Sequence, residues 1–365
     1  MPHPSISVII ATYNRADLLK KCLSSFLDQT LSTDHFEMIL IDDGSNDKTK
    51  QIFRQMASNL PLKSFKQNHT GLSAARNLGL FAAEGEILLF FDDDDLADKN
   101  LLGIHLNLHR KYPDLNTAVL GYTDWLPTLR ITPIMYYITH IGQHLFSYLS
   151  LDNEMILDFS YFWGGRSSCK KEFLIKHEIF NPLTTWDDFE LGYRLSNHGL
   201  KVLFCPGAVS YMNREVTYHE FCKRCHRIGK EKFRVSKMHP NLKIPGSWGI
   251  QEAAKKWENA KRILEARTKQ VTLLEEEYKN SLPNVSAAIV LKLFNLYEWS
   301  FQSFYLKGYI EEMNQQKGTA HAVPYRKIPK KDLDYIWRKK KSHKYPRALS
   351  LSTSSKVSTG EYSSS

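Results

Sequence analysis

The sequence predicts an α/β fold: a mostly parallel sheet flanked by helices, followed by a helical extension toward the C-terminus. Three observations predict it. Short β-branched runs alternate with apolar residues at helical spacing through about residue 95, the pattern of successive βαβ units. Ile87 to Phe91 is five apolar residues in a row, as expected of a strand covered on both faces. The polar motifs of this half all follow apolar runs, and ligands of such sheets bind beyond the carboxyl ends of the strands.

Taken in order, Ile6 to Ala11 reads as the first strand, ending at Thr12-Tyr13-Asn14-Arg15. Leu18, Leu19, Cys22, Leu23, Phe26 and Leu27 recur at helical spacing. Met38 to Ile41 is a second strand and runs into Asp42-Asp43-Gly44-Ser45; Ile52, Phe53 and Met56 mark the next helix. Phe65 sits in a weaker strand, Gly71 to Ala83 reads as a helix of small residues, and Ile87 to Phe91 closes the half. A helix is expected over Gly103 to Pro113, and a loop-and-helix insert over Leu129 to Leu151. Tyr161 to Pro206 contains paired glycines, a helix and a strand. Residues 250–316 read as helical, amphipathic to Lys279 and aromatic-rich from Val285 to Tyr309.

Composition narrows the function. The formal charge is +10, but ten Lys/Arg against two Asp lie between Arg326 and Arg347, so the excess belongs to a tail. A nucleic-acid-binding role is therefore not expected of the body. That tail could instead meet an anionic membrane surface. From Leu349 the chain is mostly Ser and Thr, too poor in apolar residues to pack. No run approaches the roughly 20 apolar residues of a membrane span. The first residues lack a basic-then-apolar leader pattern, and the five cysteines suggest no disulfide framework, so a cytoplasmic setting is expected. His219, Cys222, Cys225 and His226 lie too close in sequence to close around one zinc ion.

The strongest motif is Asp92-Asp93-Asp94-Asp95, straight after a buried strand. Unit charges 4 Å apart repel by roughly 4 kcal/mol at an effective dielectric of about 20, a cost that a divalent cation and its phosphates would offset. In extended backbone Asp92 and Asp94 point to the same side. Hard carboxylate oxygens suit Mn²⁺ or Mg²⁺. Asp42 to Asp47 can bind a base or ribose, or act as a turn and helix cap. Arg76, among small residues, is a candidate for a diphosphate or for a surface ion pair.

Val8 to Arg15, Asp42-Asp43-Gly44-Ser45, Gly71-Leu72-Ser73-x-x-Arg76-Asn77-x-Gly79 and Asp92-x-Asp94-Asp95 resemble, in order and spacing, the family-two glycosyltransferases with the Rossmann-like GT-A fold. The resemblance extends to about residue 230. It implies that Thr12, Tyr13, Asn14 and Asp43 hold the nucleotide base, Arg76 the base or diphosphate, and Asp92 the ribose with Asp93 beside it. Asp94 would hold the metal. Trp163-Gly164-Gly165-Arg166 resembles the acceptor-side loop, and Trp186-Asp187-Asp188-Phe189-Glu190 resembles the Glu-Asp-x-Glu segment, with Asp187 in place of its first Glu. This makes Asp188 the base, with Gly164, Gly165, Asp187 and Glu190 on the acceptor side. Met212 stands where the family often places a metal-binding His.

The expectation is thus an inverting, metal-dependent transfer from a nucleotide diphosphate sugar, by default UDP-linked, to a saccharide or lipid-linked acceptor in surface glycan synthesis. A carboxylate ionised at neutral pH can take the acceptor's proton, and no second nucleophile is nominated for a retaining route. The alternative is a catalytically weak domain that acts as a partner in glycan assembly. Residues 1–125 are expected to form the donor half, 126–235 the acceptor half, 236–320 the helical extension and 321–365 the tail.

Overall fold

The computed structural model describes residues 3–148, 150–244 and 248–316. Its centre is a nine-stranded sheet. Strands β1 (Ile6–Thr12), β2 (Phe36–Asp42), β3 (Leu62–Lys66) and β4 (Ile87–Asp92) lie parallel in the order β3-β2-β1-β4. Between them run α1 (Ala16–Ser24), α2 (Thr49–Met56) and α3 (Leu72–Ala82). All seven residues of β2 are buried, so its continuous apolar run reflects cover on both faces. Val8, Ile10, Met38, Leu40, Leu89 and Phe91 meet Leu19, Leu23 and Phe26 of the α1 region on one face. Each such side chain, fully buried, stabilises the fold by about 1.5–3 kcal/mol.

The second half of the sheet is mixed. After β5 (Asp95–Ala97) and α4 (Leu101–Lys111), β6 (Thr117–Trp125) leads through α5 (Pro133–Tyr136) and a one-turn π-helix (Tyr137–Ile141) to β7 (Ile156–Leu157). Then come β8 (Ser167–Lys170), α6 (Lys171–His177), α7 (Asp187–Ser196) and β9 (Lys201–Met212). β8 slots antiparallel between β4 and β6, β9 lies parallel to β6, and β5 and β7 pair antiparallel with β9. The expected α/β architecture is present, with its parallel character concentrated in the first four strands. All five cysteines are buried free thiols.

Three helices follow: α8 (Tyr218–Met238), α9 (Ile250–Asn280) and α10 (Ala287–Gln316). α8 opens on a capping box in which Thr217 and Glu220 satisfy each other's backbone N–H groups. α8 and α10 touch at backbone level: a Cβ on Gly229 would sit 2.1 Å from Tyr305 O, and one on Gly308 would sit 1.9 Å from His226 O. The aromatic run of α10 is packed, with Tyr297 and Phe301 fully buried. Among the described residues no helix is long and apolar enough to cross a membrane. The basic and Ser-rich stretch from 321 to 365 lies outside the described residues.

Candidate active site

The register of β1 places Thr12 beside Asp42 and Ala11 beside Asp92, so the three polar loops after β1, β2 and β4 meet at one end of the sheet. Asn14 sits at φ 52°, a conformation Asn tolerates better than most residues. Its N–H donates to Ser45 Oγ at 2.9 Å, and its Oδ1 accepts from Asn46 N at 2.9 Å. These bonds stitch the first loop to the second. Tyr13 and His69 are exposed and stack at 4.0 Å, forming an aromatic platform beside the cluster.

Asp43, expected on the base, is buried and its oxygens are occupied by protein donors. Oδ1 accepts from Gln67 Nε2 at 2.7 Å and Thr70 N at 2.9 Å, and Oδ2 accepts from Gly71 N at 3.0 Å. His69 Nδ1 lies 2.9 Å from the same Oδ2. Asp43 therefore shapes the loop that leads into α3.

The four consecutive aspartates diverge. Asp93 accepts from Thr12 Oγ1 at 2.7 Å and Arg15 at 2.9 Å, and burial pushes its carboxyl up to about 6. Asp94 Oδ2 is shared by Arg214 Nε at 2.7 Å and Arg15 at 3.3 Å. Asp95 is fully buried, 3.3 Å from Ser210 Oγ and 3.7 Å from Arg166, and burial raises it to about 8. Asp92 is the accessible member, its side chain 35% exposed, with Arg76 at 3.5 Å and Arg166 at 3.6 Å. Those long contacts leave it free to bind a ligand.

Arg76 is buried rather than at the surface, and Asp187 holds it at 3.0 Å while its other arm reaches Asp92. Burial raises Asp187 to about 6 against the opposing pull of Arg76. Gly164 and Gly165 lie directly against this pair. A Cβ on Gly164 would fall 2.5 Å from Arg76 Nη1, and one on Gly165 would fall 2.0 Å from Asp92 Oδ2. Asp188, at the start of α7, is half-buried; its Oδ2 accepts from Gly164 N at 3.1 Å and its Oδ1 from Phe189 N at 2.8 Å. The structure thus brings Asp92, Arg76, Asp187, Asp188 and the Gly164-Gly165 turn together.

Glu190, expected on the acceptor side, lies away from this group. It is fully buried, and Arg194 and His239 hold its two oxygens at 2.8–2.9 Å, so it secures α7 in the scaffold. The sequence reading also assigned nothing to Arg15, Arg166, Arg214 or His69. Arg15 and Arg166 stood inside quoted motifs, but a carboxylate partner cannot be read from a motif. Arg214 carried no sequence signal, because β9 delivers it to Asp94 through tertiary structure alone.

The donor chemistry here suits a hard cation, since Asp92 and Asp94 supply carboxylate oxygens. The protein's own ligand set is small: Met212 is buried opposite Asp95, and a thioether suits neither Mn²⁺ nor Mg²⁺. Among the described residues no group of three His, Cys, Asp or Glu is arranged around a common ion position. Oxygens of a bound phosphate would have to complete the coordination.

The family model for glycosyl transferase family 2 matches residues 7–181. Validoxylamine A glucosyltransferase of Streptomyces hygroscopicus subsp. jinggangensis is 27% identical over 233 residues, covering 54% of this chain and 52% of that protein. Chondroitin synthase of Escherichia coli is 28% identical over 237 residues, covering 56% of this chain and 34% of that protein. The chain thus spans about half or less of the length of these curated relatives. Among solved structures, mannosyltransferase PcManGT from Pyrobaculum calidifontis, in complex with GDP-Man and Mn²⁺, superposes with a TM-score of 0.54 at 19% identity. The match covers 86% of this chain and 88% of that one, and it shows a shared fold.

Proposed function

We propose that this chain, whose residues 7–181 match the family model for glycosyl transferase family 2, transfers a sugar from a nucleotide diphosphate to an acceptor hydroxyl with inversion. The observation that carries the reading is the meeting of Asp92 and Asp188 around the Gly164-Gly165 turn. One carboxylate is accessible to a donor, and the other is a half-buried base. Residues 1–125 serve as the donor half, with the Tyr13–His69 platform for the base, and residues 126–235 as the acceptor half. UDP is the default nucleotide. The acceptor is a saccharide or lipid-linked glycan, and surface glycan synthesis is the proposed setting.

In this reading Asp92 binds the donor's ribose, and Arg76, held by Asp187, offers its charge to the donor from a fixed position. Asp188 takes the proton of the acceptor hydroxyl. The glycine turn supports Asp188 through the Gly164 N–H and leaves room for the acceptor. Asp94, with Asp92 nearby, would hold Mn²⁺ or Mg²⁺, which when bound would neutralise charge on the leaving diphosphate. The Mn²⁺ in the PcManGT complex supports this choice of ion. Met212 favours a second reading, a weakly catalytic partner in glycan assembly, and the Asp92–Asp188 arrangement argues against it.

The test is turnover of a panel of nucleotide sugars with Mn²⁺, read as release of the nucleoside diphosphate. Release by the parent protein and its loss in Asp188→Asn is the expected result. Equal release by both proteins would remove Asp188 from the mechanism.

A further inference from the structure

We infer that Thr184 and Glu231 position the two aspartates at the start of α7, so that α8 and α10 set the geometry of the site from outside it. The inference rests on the proposed parts of Asp187 and Asp188. Thr184 is buried in the turn between α6 and α7. Its hydroxyl donates to Glu231 Oε2 at 2.6 Å and accepts from Trp186 N at 3.1 Å, immediately before Asp187. Its carbonyl accepts from Ser73 Oγ at 3.2 Å, and that same Ser73 oxygen lies 3.1 Å from Asp187 Oδ2. Thr184 therefore grips the start of α7 by its backbone and touches Asp187 through one shared hydroxyl.

Glu231 is fixed in turn from behind. It is 2% exposed, and Arg234 pairs with it at 2.8 Å. The same guanidinium makes a two-pronged bond to Glu312 of α10, at 2.8 and 2.9 Å. The close α8–α10 backbone approach at Gly229 and Gly308 holds this arrangement in register. Polar contacts thus link Glu312, Arg234, Glu231 and Thr184, Ser73 shares its one hydroxyl proton between Thr184 O and Asp187 Oδ2, and Asp187 sets Arg76 against Asp92.

Two features favour positioning over simple adhesion. A buried carboxylate is a costly way to join helices, and apolar packing of the same volume commonly does it at least as well. The turn is also pinned independently at its other end, where Asn77 of α3 exchanges bonds with the backbone of Phe180 at 2.8 and 3.0 Å. Between these two anchors the path of residues 180–187 is determined. Small displacements matter here, because a shift of about 1 Å in a reacting group can cost on the order of 100-fold in rate.

The experiment compares Thr184→Val, Thr184→Ser and Arg234→Gln in the full chain. It measures thermal unfolding, calorimetric nucleoside diphosphate binding with Mn²⁺, and kcat and KM for the nucleotide sugar the parent turns over, from pH 5 to 8. Thr184→Val is expected to keep its fold and a donor KM within about threefold, and to lose about 10- to 100-fold in kcat. Thr184→Ser, which keeps the hydroxyl, should restore kcat. Arg234→Gln, changed at a part-exposed residue, should show a smaller fall of the same kind and serves as the test if Thr184→Val does not fold. Parent-like kcat in Thr184→Val and Arg234→Gln, or no rescue by Ser, would overturn the inference. A parent that binds no nucleoside diphosphate and turns over no donor would instead overturn the functional reading on which it rests.

Discussion

Replacing Gly165 by Ala should disable the donor site while leaving the fold intact. The added Cβ would lie 2.0 Å from Asp92 Oδ2 and 2.4 Å from its Cγ. Ordinary contact needs roughly 3.5 Å, so the carboxylate must retreat by about 1.5 Å or the turn must move by as much. Asp92 is one-third exposed, so the retreat should fall toward the low end of the usual overpacking cost of about 1–3 kcal/mol. Its effect on function is larger, since misplacement by about 1 Å commonly costs on the order of 100-fold. Donor affinity should therefore fall by about that factor in calorimetry, with a cooperative unfolding transition lowered by only a few degrees. Gly103→Ala, where nothing lies within 4 Å of the new Cβ, is the control and should bind donor like the parent. Parent-like donor affinity in Gly165→Ala would refute the claim that Asp92 contacts the donor from beneath this turn.

Three further outcomes follow from the same geometry. Asp188→Asn should keep donor affinity within about twofold and lose transfer by on the order of 100-fold or more, the range of general-base contributions; a calorimetric loss of donor binding would show that Asp188 is a donor ligand instead. Asp94→Asn should abolish the Mn²⁺-dependent part of donor binding, and an unchanged Mn²⁺ dependence would reject Asp94 as the ion's ligand. His105 and His109 are buried on one hydroxyl, Ser168 Oγ, at 2.8 and 2.9 Å, and burial holds them down to about 3 and about 4. Below pH 6.5 the unfolded chain binds protons that the folded one refuses. Each His therefore withdraws stability as pH falls, by up to about 1.4 kcal/mol per pH unit until its folded value is reached. His105→Gln should flatten that contribution in urea unfolding between pH 7 and 5; a pH dependence identical to the parent's would contradict it.

β1, β2 and β4 were legible because each carries a β-branched or continuous apolar run that ends in a polar loop, whereas β3, Leu62-Lys63-Ser64-Phe65-Lys66, offered only a weak signal around Phe65. The antiparallel insertion of β8 was not legible, since pairing direction depends on which edge the chain reaches and not on the residues of Ser167–Lys170. β5 was missed for a related reason. Asp95-Leu96-Ala97, at the end of the acidic run, becomes a strand by pairing with the end of β9. At the site, motif order pointed to Asp92, Asp94 and Asp188, and their neighbourhood follows from the loops that share one end of the sheet. The partners of those residues were hidden. Arg214 reaches Asp94 across 120 positions and Thr184 reaches Glu231 across 47, and such pairings leave no local spacing to read. Glu190 shows the converse, because a place in a motif did not reveal that burial had committed it to Arg194 and His239.

The central claim is that this end of the sheet binds a nucleotide diphosphate through Asp92 and a cation at Asp94. Calorimetric titration of the parent protein with UDP, GDP, CDP, ADP and dTDP, with and without Mn²⁺, tests it most directly. The account predicts that one nucleotide binds, that Mn²⁺ strengthens it, and that Gly165→Ala weakens it. A folded protein that binds none of the five in either condition would contradict the account.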